Sequence, residues 1–340
     1  MRYNTLAREA DTNRSIYEGL LQRYRELNAS AGVATSNLAI IDRAQPPLSP
    51  SSPDLSRNVL LALILGLALC AAFVFLRDQL DDAIRVPEDV EDRLALPLLG
   101  VIPKAGADPD SELADPKSPT AEAYHSLRGS LLYATSQGLP KILLVTSAQP
   151  GEGKTTTSYA IASGLARMGR KVVLIDADMR RPTAHRRLRS DNRMGLSSLL
   201  TSTEPAAGAI TASGQDGFSV ITSGPLPPSP TELLTSPRLA ALLEELAREF
   251  DCVVLDSPPV LGLADAPVMA ALADGVVFVV EAQRGRRGTL KAALRRLRAM
   301  DPVLLGAVLT KFDPGAANGY SDYAGHGYYS YETDHGRASA

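Results

Sequence analysis

Between an apolar run, Ile142-Leu-Leu-Val145, and a helical pattern of small residues from Thr155 to about Met168 lies the stretch Ser147-Ala-Gln-Pro-Gly-Glu-Gly-Lys-Thr-Thr156. A strand that turns into a helix within a few glycine-bearing residues commits the chain to an α/β arrangement. Gly151 and Gly153 free the tight turns of bulky side chains. The backbone N–H groups from Gly151 through Glu152, Gly153, Lys154 and Thr155 to Thr156 can then converge at a helix N-terminus, an arrangement that cradles phosphates. Lys154 would place a fixed cation on β- and γ-phosphates, and Thr155 a hydroxyl on Mg²⁺. The strict pattern G-x-x-x-x-G-K-[ST] is missed at its first position, where Ala148 stands. Taken bare, G-K-T is a weak signal, equally open to a glycine-rich turn in an ordinary α/β domain. The strand before it, the helix after it and two acidic strand ends downstream make it a strong one.

The first of those ends is Lys171-Val-Val-Leu-Ile-Asp-Ala-Asp-Met-Arg-Arg-Pro182, the second Phe250-Asp-Cys-Val-Val-Leu-Asp-Ser-Pro-Pro259. Asp176, Asp178 and Asp256 thus stand at the carboxyl ends of apolar runs, where open α/β sheets put ligands. A lone Asp there is as often a turn or helix cap. Three beside a lysine and a triphosphate are what Mg²⁺ binding and proton acceptance require in phosphoryl transfer. Candidate strands are Ile142–Thr146, Val172–Asp176, Phe218–Thr222, Cys252–Asp256, Val276–Val280 and Leu305–Leu309. Their continuous Val, Ile and Leu, without alternation, predict a mainly parallel sheet buried on both faces and flanked by helices.

The 340 residues leave room for about two domains. A formal charge of −3 gives no global attraction to nucleic acid. Two cysteines, Cys70 and Cys252, and four scattered histidines suggest neither disulfides nor a zinc module. Residues 4–28 read as an amphipathic helix with Ile16, Leu20, Tyr24 and Leu27 on one face, which must pack against copies or other sequence. Ala44–Pro53 is a proline-rich spacer. Val59 to Leu76 carries no charge and lies between Arg57 and Arg77; as a helix it spans about 27 Å, enough for a bilayer core. Flanking charge orients it poorly, but a nucleotide site after it needs cytosolic ATP, which puts the C-terminal side inside. The expected organisation is a segment outside the membrane at 1–57, which the resemblance drawn below makes a periplasmic remnant, a transmembrane helix at 58–77, a juxtamembrane linker at 78–119, a P-loop domain at 120–313 and a flexible tail at 314–340. That tail sets Tyr320, Tyr323, Tyr328, Tyr329 and Tyr331 among glycines and serines.

These motifs, with Ser223-Gly-Pro-Leu-Pro-Pro-Ser-Pro-Thr-Glu-Leu-Leu234, Leu263-Ala-Asp-Ala266, the proline-rich segment and the tyrosine cluster, resemble the bacterial tyrosine kinases (BY-kinases) fused to polysaccharide co-polymerases of the chain-length-determinant type. The resemblance covers almost the whole chain. It implies an ATP- and Mg²⁺-dependent autokinase of the inner (cytoplasmic) membrane, its kinase domain cytoplasmic, regulating capsular or exopolysaccharide polymerisation and export. It further implies that Lys154 and Thr155 hold phosphates and metal, that Asp178 and Asp256 help hold the metal, and that Asp176 is the base for a tyrosine hydroxyl. The residues alone do not apportion roles among the three Asp. The five tail tyrosines become phospho-acceptors, served in trans by a neighbouring subunit. A phosphatase, the polysaccharide export machinery and a ring-like homo-oligomer become the partners. Two departures stand out. The family's E-x-x-R-x-x-R docking helix here reads Glu122-Ala-Tyr-His125-Ser-Leu-Arg128, so a weaker cation takes the first arginine's place. The chain also begins near the end of the family's periplasmic domain, as a truncated form would.

Two other readings fit the same core. Spatial-organising ATPases of the MinD/ParA type share the sheet but carry an extra loop lysine where this chain has Ser147 to Pro150, and they lack a membrane span. Arginines at 180, 181, 186, 187 and 189, and at 284, 286 and 287, could mark a nucleic-acid surface, though the acidic net charge favours solvated surface or subunit contact. A structural co-polymerase with an inactive kinase domain is opposed by the complete set Lys154, Thr155, Asp176, Asp178 and Asp256.

Overall fold

The computed structural model describes residues 2–32, 42, 46, 52–80, 82–106, 109–135, 138–202, 205–214 and 217–313, in two units that meet between Val74 and Phe75. The tail tyrosines, and most of the proline-rich segment, lie outside the described residues. In the first unit one helix runs Arg2–Gly32, longer than the expected 4–28, with Ile16, Leu20, Tyr24 and Leu27 all exposed. Among the described residues one helix is long and apolar enough to cross a membrane; its qualifying part, Leu55–Leu76, is fully exposed.

The second unit is built on an eight-stranded sheet. Its strands are β1 (Leu98–Pro103), β2 (Ile142–Ser147), β3 (Val172–Asp176), β4 (Thr211–Ala212), β5 (Ser219–Ile221), β6 (Cys252–Asp256), β7 (Gly275–Glu281) and β8 (Leu304–Phe312). Their order is β1-β8-β7-β2-β6-β3-β5-β4, parallel throughout except for β4 against β5. Strands β2, β3 and β6 are buried at every position, and successive residues feed opposite faces. Ile142, Leu144, Val253 and Leu255 join one core; Leu143, Val145, Cys252 and Val254 join the other. This two-sided burial is why the strands read as unbroken apolar runs.

One face is covered by the helices Pro87–Leu94, Leu196–Thr201, Pro230–Leu234, Pro237–Glu249, Asp265–Ala270 and Arg287–Arg298. Pro237–Glu249 does so by turning Leu239, Leu242, Leu243 and Leu246 inward at helical spacing. The opposite face is covered by Pro109–Ala114, Pro119–Leu132 and Lys154–Ala166. Pro119–Leu132 starts where Ser118 accepts the N–H of Ala121 and Pro119 fixes the first turn.

The stretch 78–119, expected as a linker, is corrected by this sheet. Ala83 bridges Arg286, Ile84 N donates to Gly285 O at 2.8 Å, and β1 pairs in parallel with β8. Ile84, Val86, Val90, Leu94, Leu96, Leu99 and Ile102 are all core residues. Two prolines and a glycine in Leu96–Pro103 disguise the strand. An edge strand tolerates them because one side of its ladder is unpaired.

Candidate nucleotide and phosphoryl-transfer site

Strand β2 lies at the centre of the sheet, and its chain leaves at Ser147 into the glycine loop. Gly151 (φ 86°) and Gly153 (φ 97°) take the left-handed conformation that side chains disfavour, and the helix begins at Lys154. The loop is braced from within. Glu152, 1% exposed, accepts Gln149 N–H on Oε2 at 2.7 Å, and burial raises its pKa. Its carboxylate therefore serves the loop, and what Glu152 can offer a phosphate is its N–H. The loop is also held from β8: Thr310 Oγ1 donates to Glu152 O at 2.7 Å and Lys311 Nζ to Gly151 O at 2.8 Å. Neither contact was legible in the sequence, since about 160 positions separate the partners and no local pattern marks them.

Strand β6 separates β2 from β3, and Asp176 and Asp256 are register partners on these adjacent strands. Both are buried. Asp176 Oδ2 accepts Thr183 N–H at 3.1 Å and Ala184 N–H at 3.0 Å, while Oδ1 accepts Asp178 N–H at 3.2 Å. Asp256 Oδ1 accepts from Ser158 Oγ at 3.2 Å, but Oδ2 is buried with no partner. Burial pushes the pKa of each carboxyl well above the usual carboxylate range; the neighbouring Asp256 adds to this for Asp176, and hydrogen bonds from Thr155 and Ser158 oppose it for Asp256. Lys154 opens the helix after the loop. It is 8% exposed, and burial lowers its pKa against the pull of Asp256, Asp178 and Glu152. Asp178 is half-buried, its Oδ1 accepting the N–H groups of Arg180 and Arg181. Thr155 Oγ1 stands 3.4 Å from Thr183 Oγ1.

The structure thus gathers Lys154, Thr155, Asp176, Asp178 and Asp256 at one end of the sheet. Among the described residues no three His, Cys, Asp or Glu side chains form a stand-alone metal cluster. A cation here must also draw on hydroxyl, water and phosphate oxygens, which is how Mg²⁺ is held beside nucleotides. The orphaned Oδ2 of Asp256 fits that requirement: a buried anionic oxygen without a donor is costly unless a cation meets it. Loop, lysine and carboxylates make this a nucleotide- and metal-binding site.

Thr156 Oγ1 accepts from Arg187 Nη1 at 3.1 Å; that guanidinium lies 4.2 Å above the Tyr159 ring and pairs with Asp110. The docking-helix residues lie apart from this cluster. His125 Nδ1 is 3.6 Å from Glu122 Oε2, and Arg128 Nη1 donates to Gly164 O of its own chain at 3.1 Å. Sequence reasoning gave no role to Ser158, one turn after Lys154, and named Arg180 and the motifs holding Thr231 and Asp265 without joining them.

Comparisons with known proteins agree with this geometry. An AAA domain model matches residues 140–300, and a model described as a G-rich domain on putative tyrosine kinase matches residues 3–79. The tyrosine-protein kinase YwqD of Bacillus subtilis (strain 168) is 36% identical over 217 residues, 64% of this chain and 89% of that protein. A putative tyrosine-protein kinase in the cps region of Klebsiella pneumoniae is 30% identical over 333 residues, 93% of this chain and 46% of that protein. The chain therefore spans about half the length of the curated relatives it matches along its whole extent. The solved kinase domain of the Escherichia coli tyrosine kinase ETK superposes with a TM-score of 0.63 at 30% identity, covering 67% of this chain and 95% of that one. With a kinase-type P-loop domain joined to a co-polymerase-type region, the chain belongs to the bacterial tyrosine-protein kinase family.

Proposed function

We propose that the chain is an ATP-dependent protein-tyrosine autokinase of the bacterial inner membrane, which regulates polymerisation and export of capsular or exopolysaccharide. The observation carrying this reading is the meeting of Lys154, Thr155 and three carboxylates at the ends of β2, β3 and β6, in a family whose named members are tyrosine kinases. In this reading the N–H groups of residues 151–156 hold the phosphates of ATP. Lys154 neutralises charge on the β- and γ-phosphates, and Thr155, Asp178 and Asp256 hold Mg²⁺. The ion, when bound, neutralises charge developing between the leaving and transferred phosphates. Asp176 accepts the proton of the attacking tyrosine hydroxyl; its raised pKa makes it a stronger base than an ordinary aspartate. The acceptors are Tyr320, Tyr323, Tyr328, Tyr329 and Tyr331, reached in trans from a neighbouring subunit, with Glu122, His125 and Arg128 at the subunit contact. The helix Leu55–Leu76 anchors the chain with its C-terminal side in the cytoplasm. A phosphatase and the export machinery complete the set of partners. The test is incubation of the full chain with Mg-ATP followed by phosphotyrosine mapping. Phosphate on the five tyrosines supports the reading, and ATP hydrolysis without phosphotyrosine refutes it.

A further inference from the structure

Asp265 opens the helix Asp265–Ala270 with a side chain 1% exposed. The chemistry proposed above makes no use of it, yet its carboxylate is fully engaged. Arg180 Nε donates to Oδ2 at 2.7 Å and Arg180 Nη2 to Oδ1 at 3.3 Å. Thr231 Oγ1 donates to Oδ1 as well, and accepts from Arg180 Nη2 at 3.0 Å, closing a three-sided ring. Three separate parts of the chain meet there: the loop after β3, the helix Pro230–Leu234 and the helix Asp265–Ala270.

The ring continues into the site. Arg180 N and Arg181 N donate to Asp178 Oδ1 at 3.2 and 3.0 Å, and Asp178 N donates to Asp176 Oδ1 at 3.2 Å. The backbone that orients both carboxylates is thus tied to β3 on one side and to a buried anion on the other. A forked guanidinium fixes direction as well as distance, which a lysine ammonium does not. The two N–H groups that donate to Asp178 belong to residues 180 and 181, so slack introduced at Arg180 would reach both together.

We propose that Arg180, Asp265 and Thr231 form a positioning clamp that presents Asp178 to the metal, with Asp176 held beside it, and so sets the Mg²⁺ affinity of the nucleotide complex. The clamp rests on the site reading above, but its test does not need phosphotyrosine. A fluorescent ADP analogue is bound to the full-length chain while Mg²⁺ is titrated, for wild type, Arg180→Lys and Thr231→Val, with circular dichroism of each. Outer residues that orient metal ligands typically change metal affinity about 10- to 100-fold, so Arg180→Lys should raise half-saturating Mg²⁺ at least about tenfold. Thr231→Val, which keeps the fork, should raise it less. Nucleotide binding in EDTA should be unchanged in both. Half-saturation within about twofold of wild type in folded Arg180→Lys protein would overturn the clamp. So would equal weakening with and without Mg²⁺, which is what a purely structural ring produces. A wild type that binds Mg-nucleotide but makes no phosphotyrosine would sink the kinase reading and leave the clamp standing. No Mg²⁺ dependence in wild type would remove both.

Discussion

Lys154 is buried rather than extended into solvent, and the charges of Asp256, Asp178 and Glu152 oppose the loss of its proton. Lys154→Met should lower autophosphorylation by at least about a hundred- to thousandfold, the scale expected for losing one preorganised electrostatic donor. The circular dichroism spectrum should stay that of a folded α/β domain; undiminished phosphotyrosine in that variant would refute the assignment. Asp176 and Asp256 give a second expectation. Their pKa values are raised by burial, so between the unfolded carboxylate value and the folded one the native state binds more protons than the unfolded chain. Their contribution to stability is therefore greatest at low pH and is lost as pH rises through the folded pKa values. Ligand-free protein should lose Tm between pH 5 and pH 8 by more than Asp176→Asn does. Metal binding must displace those protons, so it runs the opposite way. The Tm gain on adding Mg-ADP should be larger at pH 8 than at pH 6, and a gain independent of pH would contradict the two raised carboxyls.

Among the elements, β1 carries the most testable surprise. Seven apolar side chains between Ile84 and Ile102 are buried in the sheet unit. At about 1.5–3 kcal/mol for each fully buried side chain, their sum is comparable with the whole net stability of a typical domain, about 5–15 kcal/mol. A chain starting at residue 120 should therefore aggregate or unfold, with the edge of β8 bared, while one starting at residue 82 should purify as a folded monomer or oligomer. Equal Tm values for the two would contradict the assignment. The same element shows where a sequence is readable. Val172–Asp176 and Cys252–Asp256 were legible to the residue because burial on both faces leaves an unbroken apolar run ending in an acid. Leu98–Pro103 was not, because its prolines carry a turn signal that only an edge position permits. The core of the site was legible for a related reason: Gly153, Lys154 and Thr155 act through local spacing. The supports from Ser158, Thr310, Lys311 and Asp265 were hidden because long-range approach leaves no trace in local pattern.

For the whole molecule, the exposed apolar helix Leu55–Leu76 should keep the chain in the membrane pellet after carbonate extraction, and release of intact protein would contradict the anchor. Changing Tyr320, Tyr323, Tyr328, Tyr329 and Tyr331 to Phe together, with Lys154 kept, should remove most phosphotyrosine; undiminished signal would exclude that cluster as the acceptor. Each phosphate adds about −1.5 to −2 charge, so the modified tails should repel one another and the assembly should loosen, read as a smaller oligomer by light scattering. Sheet order carries a consequence for the chain as it is being made. Strand β6 lies between β2 and β3 although it is translated after both. A ribosome that has reached residue 250 has emitted the glycine loop, Lys154, Asp176 and Asp178, but the gap between their strands is still unfilled. Asp256 arrives with the strand that closes that gap, so the nascent chain cannot gather the three carboxylates before β6 is placed between β2 and β3. A chain that stops short of β6 therefore lacks both the strand that joins β2 to β3 and the carboxylate that this strand carries to the site.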